Sequence, residues 1–299
     1  MIGQKWNIKM GLPTITELKK TGAKRTGKIL DSEKGLMKRS AIGQKRLNAF
    51  MLNKFIPTLD IDDNGNIKNT ASNLKKVANP TKLKKFIKDT IDSDLAQYYV
   101  KSFLGLQGIT GTYFNTLGAK SGVTDAIFNR SEIASNAFIN EIFDNTEIQK
   151  QIQSTLSNAI TSTTSLVDTK TLLTDQIKGT NEKMGLIEGY QYRNGIEEFQ
   201  TYTRGLDEQF SKALRLNYAI YAGTEIKTTR HFCDSRINNV YNRETINSWN
   251  DLEFQGKKKN HIMVIDLGGY NCRHDLNWVT YELAKRIDKD MKKSKFDKK

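Results

Sequence analysis

His231, Cys233, His261, Cys272 and His274 are all the histidines and cysteines of a 299-residue chain, and all lie in its last quarter. Imidazole and thiol can hold soft metal ions, form cross-links, or act as base and nucleophile. Each chemistry makes a different demand on spacing. In an extended segment His231 and Cys233 share one face, as do Cys272 and His274. Two such pairs could converge on a tetrahedral zinc site, with Cys233, Cys272 and His274 as the core ligands. A Cys233–Cys272 cross-link, or two thiols packed as small apolar groups, is the simpler arrangement and ranks first. Catalysis ranks third. Cys272 and His274 are poorly spaced for a nucleophile and base, and the zinc-deaminase, H-E-x-x-H, P-loop and G-x-S-x-G signatures are absent. Arg230 and Arg273 stand beside the cysteines. They could pair with Asp234, Asp266 or Asp275, or could contact phosphate.

The surrounding elements must deliver these residues. Ile262-Met263-Val264-Ile265 reads as a short buried strand, followed by a tight turn at Gly268-Gly269. Arg243 to Trp249 reads as a short helix, and Thr280 to Met291 as a terminal one. Upstream, the longest helical candidate runs from about Gly185 to Ala222. Ile196, Phe199, Leu206, Phe210 and Ile220 follow heptad-like steps there, with Thr203 and Asn217 interposed. That seam could face the domain or a partner helix, as an adaptor protein would use it. Residues 80–160 read as several helices, interrupted at Gly105, Gly108 and Gly111. A helix capped by Asp31 or Ser32 is expected to end at Pro57. Asp60 to Ile67 begins like a calcium loop. It fails at Lys68 and at Ala71, where the closing Glu should stand, so Asn64-Gly65 predicts a hairpin turn instead.

Charge is segregated. Residues 1–50 carry 12 Lys/Arg against 3 Asp/Glu, and residues 285–299 carry 8 against 3, within a total of +14. Residues 101–200 carry 8 against 11. Basic ends on a near-neutral body point to a polyanion, with nucleic acid the first candidate. The candidate contacts are Lys19, Lys20, Lys24, Arg25, the Lys257-Lys258-Lys259 run, Lys292 and Lys293. No apolar core follows the first residues as in a cleaved signal, and no run is long enough for a membrane span. Two cysteines make no disulfide framework, so the expectation is a protein folded in a reducing cytoplasm.

The stretch from Tyr221-Ala222-Gly223 through Thr229-Arg230-His231-Phe232-Cys233, then Asn239-Val240-Tyr241-Asn242, Trp249 and Gly268-Gly269-Tyr270-Asn271-Cys272-Arg273-His274 resembles the C-terminal domain of phage Mu F-like head morphogenesis proteins. These are the minor head, or minor capsid, proteins of tailed bacteriophages. The matching positions are Arg230, Cys233, Gly268, Gly269, Asn271, Cys272, Arg273 and His274, while His231 and His261 depart from the family pattern. The resemblance implies a non-enzymatic virion component at the portal vertex. Its partners would be the portal, other virion proteins and packaged DNA bound without sequence preference, with an oligomer around the portal. It would act in head assembly, genome ejection or both, after assembly in the host cytoplasm. The alternative is a metal-dependent nuclease-like or toxin-like enzyme built on the Cys/His segment. No further toxin domain is evident after residue 284.

The expected architecture is mainly α. A basic arm (1–30), ordering on a partner and holding at most a short helix near Ile15–Lys20, precedes a helical domain (31–222). A small α+β domain (223–284) carries the cysteines and histidines, and a basic tail (285–299) closes the chain.

Overall fold

The computed structural model describes residues 13–144 and 146–298. The rest of the expected arm, residues 1–12, lies outside the described residues. The fold is mainly α with a small α+β region near its C-terminal end. Helix α1 (Ile15–Phe50) runs on through a π-helical turn, Met51–Phe55, to Pro57. Then come α2 (Ala71–Ala78), α3 (Thr81–Phe86), a π-helical segment Ile87–Asp92, α4 (Ser93–Thr116), α5 (Ser121–Asp144) and α6 (Glu147–Thr161). After these lie α7 (Leu166–Lys178), α8 (Leu186–Asn194) and α9 (Glu198–Ala213). The α+β region is β1 (Tyr218–Ala222), α10 (His231–Asp234), β2 (Val240–Asn242), α11 (Arg243–Ser248), α12 (Met263–Asp266), β3 (Asp275–Val279) and α13 (Tyr281–Ile287).

By contacts the chain divides into two compact units. Among the described residues, one comprises those through Ile29, Leu104–Glu132 and those from Gln200 on; the other comprises Leu30–Phe103 and Ile133–Phe199.

The second unit is a helical assembly around aromatic rings. Tyr99 is fully buried, stacks on Phe199 at 5.3 Å and meets Phe138 edge-on at 5.4 Å. Its hydroxyl donates to Gln191 Oε1 at 2.7 Å, so its one polar atom is satisfied. The expected turn at Asn64-Gly65 is present: Gly65 adopts φ +81°, and Ile61 bridges Ile67. Asp62 Oδ1 accepts from the backbone of Asn64 and Asn66, so the carboxylate closes the loop locally.

The first unit holds the sheet, ordered β2-β1-β3 and antiparallel throughout, with Tyr218 opposite both Asn242 and Val279. Tyr113 of α4 donates to the Trp278 carbonyl at 2.8 Å, tying helix to sheet edge. Phe114 stacks on Phe210 of α9 at 4.6 Å.

Several local expectations are corrected. Helix α1 does not begin at Asp31 or Ser32 but at Ile15, because no proline interrupts it and Leu18, Ile29, Leu36 and Leu47 are all buried. Gly105, Gly108 and Gly111 do not break α4. At Gly111 a Cβ would lie 2.8 Å from the Phe128 ring, so the missing side chain serves packing. The long 185–222 helix is two helices and a strand. The chain breaks at Gly195, where a Cβ would overlap the Tyr99 hydroxyl. Residues 262–265 form no strand. Met263–Asp266 is one helical turn, held by Asp266 accepting from the Ile262 N–H at 2.7 Å. The strand lies after the glycines, at Asp275–Val279. The terminal helix stops at Ile287, not Met291.

Candidate functional site

Two short segments build the site. The first is the α10 turn, entered through Arg230. The second is the loop from Leu267 to His274, which leads straight into β3. The loop is tight: Leu267, Gly269 and Asn271 all take positive φ, at 46°, 83° and 54°. Such angles suit glycine and are tolerated by asparagine. A Cβ at Gly268 would overlap Cys233 Sγ, and one at Gly269 would overlap the Gly256 carbonyl. Both glycines are therefore needed for close approach. Arg230 locks the loop from outside, donating to the Gly268 carbonyl at 3.2 Å and the Tyr270 carbonyl at 2.6 Å. Of the two roles open to Arg230, loop stapling is the one seen, through carbonyls rather than aspartates.

The loop delivers Cys272 and His274 against Cys233. The two sulfurs lie 3.9 Å apart as free thiols, and Cys272 Sγ is 3.7 Å from His274 Nδ1. All three residues are buried, and their ligand atoms lie within 4.8 Å of one another, so the group could hold a metal ion. Tyr221 of β1 donates to Cys233 Sγ at 3.3 Å, and the Gly268 N–H donates to Cys272 Sγ at 3.3 Å. His274 Nε2 is buried without a hydrogen-bond partner. The hydrogen bond from Cys233, with further help from His274 and the nearby Arg204 guanidinium, pulls the Cys272 thiol well down. The same Cys233–Cys272 bond, with burial, pushes Cys233 up.

His231 does not join the group. It opens a helical turn rather than an extended segment, so residues 231 and 233 point to different sides, and His231 is exposed. The expected convergence of two His/Cys pairs is corrected to three residues. His261 packs edge-on to Phe254 at 5.4 Å, apart from the cluster, and burial lowers its pKa.

No protein-family model, curated protein or solved structure matches this chain. Among the described residues no helix is long and apolar enough to cross a membrane.

Beneath the loop lies a group that the sequence reading missed. Along α9, Gln200, Arg204, Asp207 and Ser211 recur at helical spacing and are all buried. Arg204 donates to the Ile265, Cys272 and His274 carbonyls and lies 3.5 Å from Asp275 Oδ1. Asp207 pairs with Arg25, whose guanidinium lies 5.3 Å from the Tyr113 ring centroid. The available signal was this polar strip beside the apolar one, of which the sequence reading singled out only the neighbouring Thr203 and Asn217 as interruptions.

The basic candidates divide. Arg25 is a correction: it is 2% exposed and bound to Asp207, so it cannot reach a phosphate. Lys20 and Lys24 are exposed on α1; Lys19 lies on the same helix, its side chain outside the described residues. Lys257 pairs with Glu253 and Lys258 with Asp266, each at 2.9 Å, while Lys259 is exposed. Lys292 and Lys293 are exposed, although the neighbouring tail is docked: Ser294 Oγ donates to Glu244, and Asp297 accepts from Asn217 and Tyr218. Arg273 is half-buried, and burial lowers its pKa.

Proposed function

We propose that the chain is a non-enzymatic virion protein of a tailed bacteriophage: a minor head protein associated with the portal and with packaged DNA. It acts in head assembly, genome ejection or both. The observation that carries this reading is how the motif residues are spent. Gly268, Gly269 and Asn271 shape one tight loop, Arg230 staples it, and Cys233, Cys272 and His274 close it from within. A motif used up in making a fold fits a module that positions a surface. A metal-dependent nuclease needs an ion open to water and substrate, whereas Cys233, Cys272 and His274 are 2%, 2% and 5% exposed. The exposed lysines of α1 and of residues 292–293 are available to phosphates.

The test is the protein content of density-purified particles of the phage that encodes the chain, examined before and after DNA release. Copies present in filled heads support the reading. Absence from every head form contradicts it. Incubating the purified protein with duplex and single-stranded DNA and divalent metals tests the enzyme alternative, for which the expected result is intact DNA.

A further inference from the structure

We infer that Cys233, Cys272 and His274 bind a structural zinc ion that fastens the α10 turn to the loop preceding β3. The inference is independent of the head-protein reading and concerns what the cluster holds.

The first argument is metric. Zinc lies about 2.3 Å from thiolate sulfur and about 2.0–2.1 Å from imidazole nitrogen. A tetrahedron with those bonds has S–S edges of about 3.8 Å and S–N edges of about 3.6 Å. The sulfurs here are 3.9 Å apart, and Cys272 Sγ is 3.7 Å from His274 Nδ1. The third edge, from Cys233 Sγ to the His274 nitrogen, lies within 4.8 Å, so closing onto an ion draws those two side chains together by up to about an ångström.

Those distances alone would also suit two thiols in hydrogen-bond contact, and the imidazole beside them adds weight to the metal. A buried imidazole normally spends both nitrogens on partners. His274 is 5% exposed, its Nε2 has no partner, and its Nδ1 faces only a sulfur. A cation at the cluster would give Nδ1 a ligand bond in place of its weak contact to sulfur, while Nε2 stays without a protein partner. Space is also cleared for the ligands: a side chain at Gly268 would overlap Cys233 Sγ, and one at Gly223 would overlap the His274 ring.

The chemistry of the donors points to zinc. Two thiolates and one imidazole form a soft, borderline set that disfavours calcium and magnesium. Both cysteines enter as thiolates, so binding releases thiol protons and tightens as pH rises. Two thiolates balance the charge of the ion. The Tyr221 hydroxyl, 3.3 Å from Cys233 Sγ, is placed to complete the fourth position of a closed site. The ligands stand 39 residues apart in sequence, so the ion closes a long loop in the unfolded chain and stabilises the fold accordingly.

The test uses the full chain, purified with a non-chelating reductant. Native mass spectrometry should show one zinc per chain. A chelator should remove it and lower the Tm, and added zinc should restore both. Cobalt(II) in its place should give a thiolate-to-cobalt charge-transfer band and strong visible bands of a tetrahedral site. Cys272→Ser and His274→Gln should weaken or abolish those bands. If these variants fail to fold, the wild-type cobalt spectrum still reads out the ligands. Absence of stoichiometric zinc, with a Tm indifferent to chelator and to zinc, overturns the inference. So does zinc held equally well by the Cys233→Ser/Cys272→Ser chain.

Discussion

The guanidinium of Arg204 donates twice to the carbonyl oxygen of His274, from Nε at 3.1 Å and from Nη2 at 2.6 Å. The same Nη2 reaches the Cys272 carbonyl at 2.7 Å. One helical side chain thereby fixes the backbone that carries both Cys272 and His274. Arg204 also lies beside Asp275, with both side chains nearly excluded from water. Removing one partner of such a buried pair leaves the other uncompensated. Arg204→Met is expected to lose about 3–5 kcal/mol in urea denaturation. A loss under 1 kcal/mol would show that the carbonyls find other donors.

Glycine substitutions separate packing from helix propensity. Gly268→Ala drives a methyl into Cys233 Sγ and should destabilise the protein by about 1–3 kcal/mol. At Gly205, inside α9, an added methyl would have no neighbour within 4 Å. Gly205→Ala should stabilise by roughly 0.5–1 kcal/mol. Thermal denaturation of the two variants should move in opposite directions.

The apolar seam on α9 is interior. Phe199, Leu206 and Phe210 are 0%, 1% and 0% exposed, so they are not free to recruit a partner helix. Phe210→Ala should cost about 3–5 kcal/mol through loss of its stack on Phe114. Sedimentation should show the oligomeric state of the folded variant unchanged.

Asp92, at the end of the π-helical segment, supplies a pH signature. Burial pushes its carboxyl up to about 7, against the opposing pull of Lys88. An unfolded Asp titrates near ~4. Between these values the folded chain keeps a proton that the unfolded chain has released. This contribution to stability therefore falls as pH rises from about 4 to about 7 and levels off above. Asp92→Asn should flatten that slope and gain stability relative to wild type at pH 8. Denaturant midpoints across this range give the comparison.

How much of this was legible in the sequence depends on the kind of signal. Apolar faces such as Leu83, Ile91, Leu95, Tyr99 and Phe103 declared their helices, because each buries one stripe. The short helix expected from Arg243 to Trp249 forms as Arg243–Ser248, and Asn242 caps it by accepting from the Thr245 N–H at 2.8 Å. The clustering of cysteine and histidine gave the site, and three of its five members meet. Strand β1 was hidden because it is central and almost wholly buried, so Tyr-Ala-Ile-Tyr-Ala shows no alternation. Arg25, Arg204 and Asp207 were hidden because a charged residue reads as surface until its partner, distant in sequence, is known. His231 was misplaced by assuming an extended backbone where the chain makes a helical turn.

The salt dependence of binding to duplex DNA tests the central claim most directly. Contact with about six phosphates should give a slope of log K against log salt near −5. Replacing Lys20 and Lys24 together by alanine should make the slope shallower by about 2 without changing the Tm. A flat response to salt, or a slope untouched by those substitutions, would contradict an account in which the exposed lysines of α1 hold packaged DNA.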